Sequence, residues 1–178
     1  MLYWGYRLGR WLAMRLPLAV SYRIAVWLAD LKYLTVVSDR KAVHRNVAVI
    51  VGAGDPRQSR VARAVFRNFS KYLVDFFRLE QVDARFLQQR VTMVGESNLE
   101  EVLQLRRGAI LLSAHVGNYE LGAAVMALRG YPTRAIVLTH RDARIDALFT
   151  RQRQVKGVRS LPVGMALRQG FACLKQNG

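Results

Sequence analysis

Cysteine is almost missing from this chain. Cys173 is the only one in 178 residues, which excludes a disulfide within the chain and fits a reducing compartment. Nothing beside it resembles an activating base, so it reads as a buried, inert thiol. Carboxylates are scarce as well: 12 Asp and Glu stand against 28 Lys and Arg, for a formal net charge of +16. Lysine supplies little of that excess, occurring only at Lys32, Lys41, Lys71, Lys156 and Lys175. Long apolar runs are also lacking, since charges interrupt every stretch before it reaches the ~20 residues of a spanning helix. The small-residue cleavage site that follows a signal peptide's apolar stretch does not occur either. What remains is 52% hydrophobic, enough to bury one core and too much for a disordered polymer. A surface this basic attracts polyanions of any kind: nucleic acid, anionic lipid headgroups or an acidic carrier protein.

The aromatic residues are unevenly placed. Trp4, Trp11 and Trp27 all fall in the first stretch, "MLYWGYRLGRWLAMRLPLAVSYRIAVWLADLKYL", beside Tyr3, Tyr6, Tyr22 and Tyr33. Indole and phenol rings favour the headgroup zone of a bilayer, and Arg7, Arg10, Arg15 and Arg23 can snorkel toward phosphate. Residues 1–54 are therefore expected to form amphipathic helices, broken near Pro17, that lie on an anionic membrane face. Helices that simply cover the core are the alternative, and Arg7, Arg15 and Arg23 do not share one helical face. Arg40, Lys41, His44 and Arg45 read as a basic turn, with His44 solvated.

"GAGDP" then punctuates the chain and opens the second segment, 55–178. Asp55 is placed to cap a helix and Pro56 to begin it. Val61, Ala64, Val65, Phe69, Tyr72, Leu73, Phe76 and Phe77 recur at helical spacing, with Arg60, Arg63, Arg67, Lys71 and Arg78 opposite. That stripe suits core packing or, alternatively, a groove for an acyl chain. Further on, "VGESNLEEVLQLRRG" predicts a helix and "AILLSA" (109–114) a strand buried on both faces. "HVGNYELGAAVMALRG" predicts loop and helix, and "YPTRAIVLT" turn and strand. A helix in "HRDARIDALFTRQRQVKG" closed by Gly157, a strand in "VRSLPV" and a helix in "GMALRQGFACLKQNG" complete the series. Repeated alternation of strand and helix argues for an α/β domain with a largely parallel sheet and flanking helices. Ligands collect beyond the carboxyl ends of such strands, where His115 would sit.

His115 is followed by Glu120 in the first turn of the next helix, where the dipole favours a carboxylate. A carboxylate near an imidazole fixes its tautomer and stabilises the imidazolium, the equipment of a general base that activates a hydroxyl. Gly117 permits close backbone approach, and Asn118 can cap the helix or donate to substrate. The bland alternative is a histidine satisfied at a strand end beside an ordinary helix-start glutamate.

"HVGNYE" resembles the HX4(D/E) motif of glycerolipid acyltransferases. The form H-x-G-N-aromatic-E is similar to that of the lipid A biosynthesis (lauroyl/myristoyl) acyltransferase family, which includes the phosphatidylinositol mannoside acyltransferases. "RKAVHRNVAVI", "VFRNFSKYLVDFFRL", "GESNLEEVLQLRRGAILLSAH" and the D-x6-R-x3-G of Asp146, Arg153 and Gly157 carry the likeness along the whole chain. Tyr119 stands where tryptophan is usual, and "HRDARIDALF" lacks an R-x-x-NP common in relatives. The resemblance implies a membrane-bound O-acyltransferase that needs no metal and no covalent intermediate. His115 would deprotonate an acceptor hydroxyl, which attacks a fatty acyl thioester on acyl carrier protein or coenzyme A, and Glu120 would support the histidine. Arg153 would handle phosphate or developing charge, with Arg141 a further candidate at the acceptor. The implied partners are an anionic membrane surface at the cytoplasmic face of a bacterial inner membrane, the acyl carrier, and a phosphorylated glycolipid. A lysophospholipid or a mannoside is the alternative acceptor. Because the family continues past "CLKQNG" with another strand, the domain is expected to be incomplete at its C-terminus. Two rivals are carried forward: a basic nucleic-acid-binding protein, for which no module is recognisable, and a non-catalytic membrane-associated relative.

Overall fold

The computed structural model describes residues 2–175, which divide into two compact units. One is helical and runs from Arg7 to Phe77. It contains the greater part of Leu2–Arg15 (α1), then Leu18–Thr35 (α2), Val37–Val51 (α3) and Gln58–Phe77 (α4). Pro17 separates α1 from α2 as expected, because it cannot donate to a continuous helical ladder. The basic stretch from Arg40 to Arg45 lies within α3 rather than in a turn. His44 is half-buried there, with Nε2 3.0 Å from the Tyr33 hydroxyl, so it is not simply solvated.

The long helix α4 starts two residues later than Pro56. Asp55 turns its side chain to the Arg57 amide (2.7 Å) and guanidinium instead of capping from the expected position. Its apolar face behaves as core: Ala62, Phe66, Val74, Phe76 and Phe77 are buried, while Val65 and Phe69 stay exposed. Across from it, Arg63 and Arg67 of α4 clasp Asp30 of α2 at 2.8 and 2.7 Å. Tyr22 of α2 donates to Asp75 of α4 at 2.5 Å. The helix expected to open the second segment therefore packs with the N-terminal helices, because its apolar stripe is buried against α2 and α3.

The second unit holds residues 2–6 and everything described from Arg78 onward. After a 3-10 turn at Leu79–Gln81 come Ala84–Arg90 (α5), Glu96–Gln104 (α6), Tyr119–Leu128 (α7), Arg134–Val137 (β1), Ala143–Gln154 (α8), Arg159–Pro162 (β2) and Val163–Lys175 (α9). The last three residues of the expected final helix lie outside the described residues. Both strands are launched the same way. Helices α7 and α8 end in Schellman turns at Gly130 (φ 90°) and Gly157 (φ 80°), where the amides of Tyr131 and Val158 bond back to Met126 and Arg153. The strands pair in parallel, Arg134 beside Arg159 through Val137 beside Pro162. Val158 and Leu161 on this side and Ile145 and Phe149 of α8 are buried in the unit's core, as is the free Cys173 of α9.

The parallel pairing was expected; its extent was not. Among the described residues the sheet has two strands, and the "AILLSA" segment is not a third. Ile110, Leu111 and Leu112 are exposed, Leu112 almost completely at 97%, and residues 109–114 enter no strand ladder. A strand exists only where a neighbour takes its amides and carbonyls, and an apolar run supplies composition without supplying that partner.

Candidate active site

His115 follows this unpaired segment directly, so it stands on a loop rather than beyond the carboxyl end of a strand. Between it and α7 the chain bends at His115 and again at Gly117. The Val116 amide bonds to the Ala114 carbonyl at 2.8 Å, and Gly117 adopts φ 65°. A Cβ at Gly117 would meet no atom within 4 Å, so it is the backbone conformation, and not crowding, that favours glycine there. Asn118 then caps α7, its side-chain oxygen accepting from the Leu121 amide at 3.0 Å. Its Nδ2 is enclosed and has no hydrogen-bond partner among the described residues.

This cap sets the next two side chains apart. Tyr119 packs its ring against the His115 imidazole, centroids 4.4 Å apart. Glu120 turns inward and is buried, 6% exposed. The His115 ring is exposed, and among the described residues neither of its nitrogens has a hydrogen-bond partner.

Glu120 has a partner other than the one its spacing suggested. Arg153, from the last turn of α8, reaches it with Nε at 2.9 Å from Oε2 and Nη2 at 2.5 Å from Oε1. Both side chains are nearly enclosed, 12% exposed for Arg153 and 7% for Glu120. A guanidinium presents a planar fork that matches both carboxylate oxygens at once, which an imidazole cannot do. The structure thus brings Glu120 and Arg153 together and leaves His115 beside Tyr119. Arg141 is exposed on the loop between β1 and α8.

The spaced residues Asp146, Arg153 and Gly157 gain distinct structural duties. Asp146 accepts the His140 amide at 2.8 Å and fixes the loop after β1. Arg153 joins α8 to the start of α7, and Gly157 ends α8 where a Cβ would lie 3.6 Å from Ala127. The buried Gln152 was not foreseen, nor was the contact of the His140 ring with Phe149 at 4.6 Å. A glutamine one position from a salient arginine on a polar helix carries no sequence signal of burial. Among the described residues there is no cluster of His, Cys, Asp and Glu that could hold a metal, and no helix long and apolar enough to cross a membrane.

The chain is similar to a phosphatidylinositol mannoside acyltransferase of Mycolicibacterium smegmatis (strain ATCC 700084 / mc(2)155), with 26% identity over 176 residues. The match covers 97% of this chain and 56% of that relative, so the chain spans little more than half the relative's length. The family model for the bacterial lipid A biosynthesis acyltransferase matches residues 1–178. From "HVGNYE" outward to both ends, the chain belongs to the bacterial lipid A biosynthesis acyltransferase family.

Proposed function

We propose that this chain carries the base of an O-acyltransferase that moves a fatty acyl group from a thioester, on acyl carrier protein or coenzyme A, to a hydroxyl of a phosphorylated membrane glycolipid. The observation that carries it is the exposed His115 imidazole, its nitrogens unoccupied by described protein groups, held against Tyr119 at the start of a capped helix. A general base must be open to its substrate and held in direction; the exposure of the ring and its contact with Tyr119 support that reading.

In the proposed reaction an acceptor O–H gives its proton to a ring nitrogen of His115. The oxygen bonds to the thioester carbonyl carbon, the C–S bond breaks, and the departing sulfur takes the proton back. The enclosed Nδ2 of Asn118 supports a role in holding an oxygen, since an unmade buried hydrogen bond costs about 1–3 kcal/mol and a substrate oxygen would relieve it. Glu120, engaged by Arg153, acts in this scheme by fixing the loop that aims the imidazole rather than by sharing its proton. Arg141, exposed on the following loop, is proposed to meet acceptor phosphate.

The acceptor lies in a membrane, so the protein is proposed to work as a peripheral enzyme on the cytoplasmic face of a bacterial inner membrane. The net charge of +16 and the exposed Trp11, Trp27, Leu28 and Leu34 support binding to an anionic lipid surface. The test is thioester turnover by the protein together with mass spectrometry of the cell's glycolipids. His115→Ala is expected to lower turnover by about 10²–10⁴-fold, the usual contribution of a positioned base, to remove one acyl group from a defined glycolipid, and to leave thermal stability unchanged. Undiminished turnover in that variant would exclude His115 as the base.

A further inference from the structure

The amino-terminal ends of the two strands carry a second feature, lined by none of His115, Gly117, Asn118 or Glu120. A cleft of about 570 Å³ opens there, bordered by Arg134, Arg159, Gln154, Gln169 and Ser160. Arg134 and Arg159 are register partners of β1 and β2, and partners across a parallel pair project from the same face of the sheet. The two arginine side chains therefore leave from neighbouring positions on one face, where like charges repel. No carboxylate lines the cleft, and neither arginine has an ion pair among the described residues. Elsewhere in this chain arginines beside an accessible acid take it up, as Arg57, Arg63, Arg67, Arg144 and Arg153 do. Gln154 and Gln169 add side-chain amides able both to donate and to accept, a pairing suited to hydroxyl groups next to an anion.

We propose that this cleft is an anion-binding site that takes a phosphate group attached to a hydroxylated scaffold, with Arg134 and Arg159 forking the phosphate oxygens and Gln154 and Gln169 meeting the hydroxyls. Such a group occurs on a soluble nucleotide-bearing carrier and on a phosphorylated lipid headgroup. The site is separate from the assignment of His115 and would stand if His115 proved inert.

Inorganic pyrophosphate, titrated calorimetrically into the protein, tests it. Saturable binding is expected, weakening from about 50 to about 200 mM salt as phosphate contacts do. Arg159→Gln, on an exposed side chain, and Arg134→Gln should each raise Kd about tenfold, the loss of one charge-assisted hydrogen bond. Arg107→Gln, outside the cleft, should leave it unchanged, and melting curves of all three variants confirm that each is folded. Displacement of pyrophosphate by coenzyme A but not by glycerol 3-phosphate assigns the soluble source, displacement by glycerol 3-phosphate but not by coenzyme A assigns the headgroup, and displacement by both supports the shared phosphate chemistry. Binding insensitive to both cleft variants, or equally sensitive to Arg107→Gln, overturns the proposal. So does displacement by neither competitor, which would mark an adventitious ion only.

Discussion

Glu120 and Arg153 lie 33 positions apart and meet almost out of solvent. Removing one partner of such a pair leaves a charge enclosed and uncompensated, which costs about 3–5 kcal/mol. Arg153→Ala is therefore expected to lower the unfolding free energy by about that amount in urea denaturation, whereas Glu120→Leu with Arg153→Met should recover most of it. An unchanged denaturation midpoint in Arg153→Ala would mean that the pair does not hold α8 to α7. At this scale the sequence marked the loop-to-helix junction and was silent about who meets whom. His115, Glu120, Asn118 and Gly117 were all visible as a loop-to-helix junction, and the cap formed where the Asn was placed. Arg153 could not be matched to Glu120 from sequence because this chain offers so many arginines at comparable separation.

Between helices α2 and α4, Asp30 is the hub. Hydrogen bonds from Arg67 first and Arg63 second hold its carboxyl well below the ordinary aspartate range. A carboxylate whose folded pKa is depressed stabilises the fold fully above its unfolded value, about 3.9 for aspartate, and that stability fades as pH falls toward the depressed value. Unfolding midpoints should accordingly change little through this group between neutral pH and about pH 5, then decline below about pH 4. Asp30→Asn should be less stable at neutral pH and show a shallower acid decline; parallel curves for the two proteins would remove Asp30 from the account. Helix α4 was legible because its apolar residues recur every three or four positions over a long window. The short run at 109–114 was not, since strand formation depends on a neighbour that no local pattern supplies.

Taken as a whole molecule, the chain couples a net charge of +16 with apolar rings facing solvent. Vesicles rich in phosphatidylglycerol should bind it far better than neutral vesicles, with a blue shift in tryptophan fluorescence, and binding should weaken with salt as the screening length falls below about 10 Å. Trp27→Ser, at a residue 65% exposed, should reduce the affinity without altering the fold. Equal binding to neutral vesicles would argue against an electrostatic surface. Charge was plain from composition; that the helical unit runs on to Phe77 depends on α4 burying its stripe against α2 and α3, which composition does not report.

Leu112 gives the molecule a further habit. With Ile110 and Leu111 it holds a run of hydrocarbon against water, and crowded copies are expected to cling through it before any of them unfolds. Leu112→Lys has no packing to lose, so static light scattering should record a higher concentration before turbidity and an unchanged melting temperature. A preparation that clouds as readily with the lysine would locate the stickiness elsewhere.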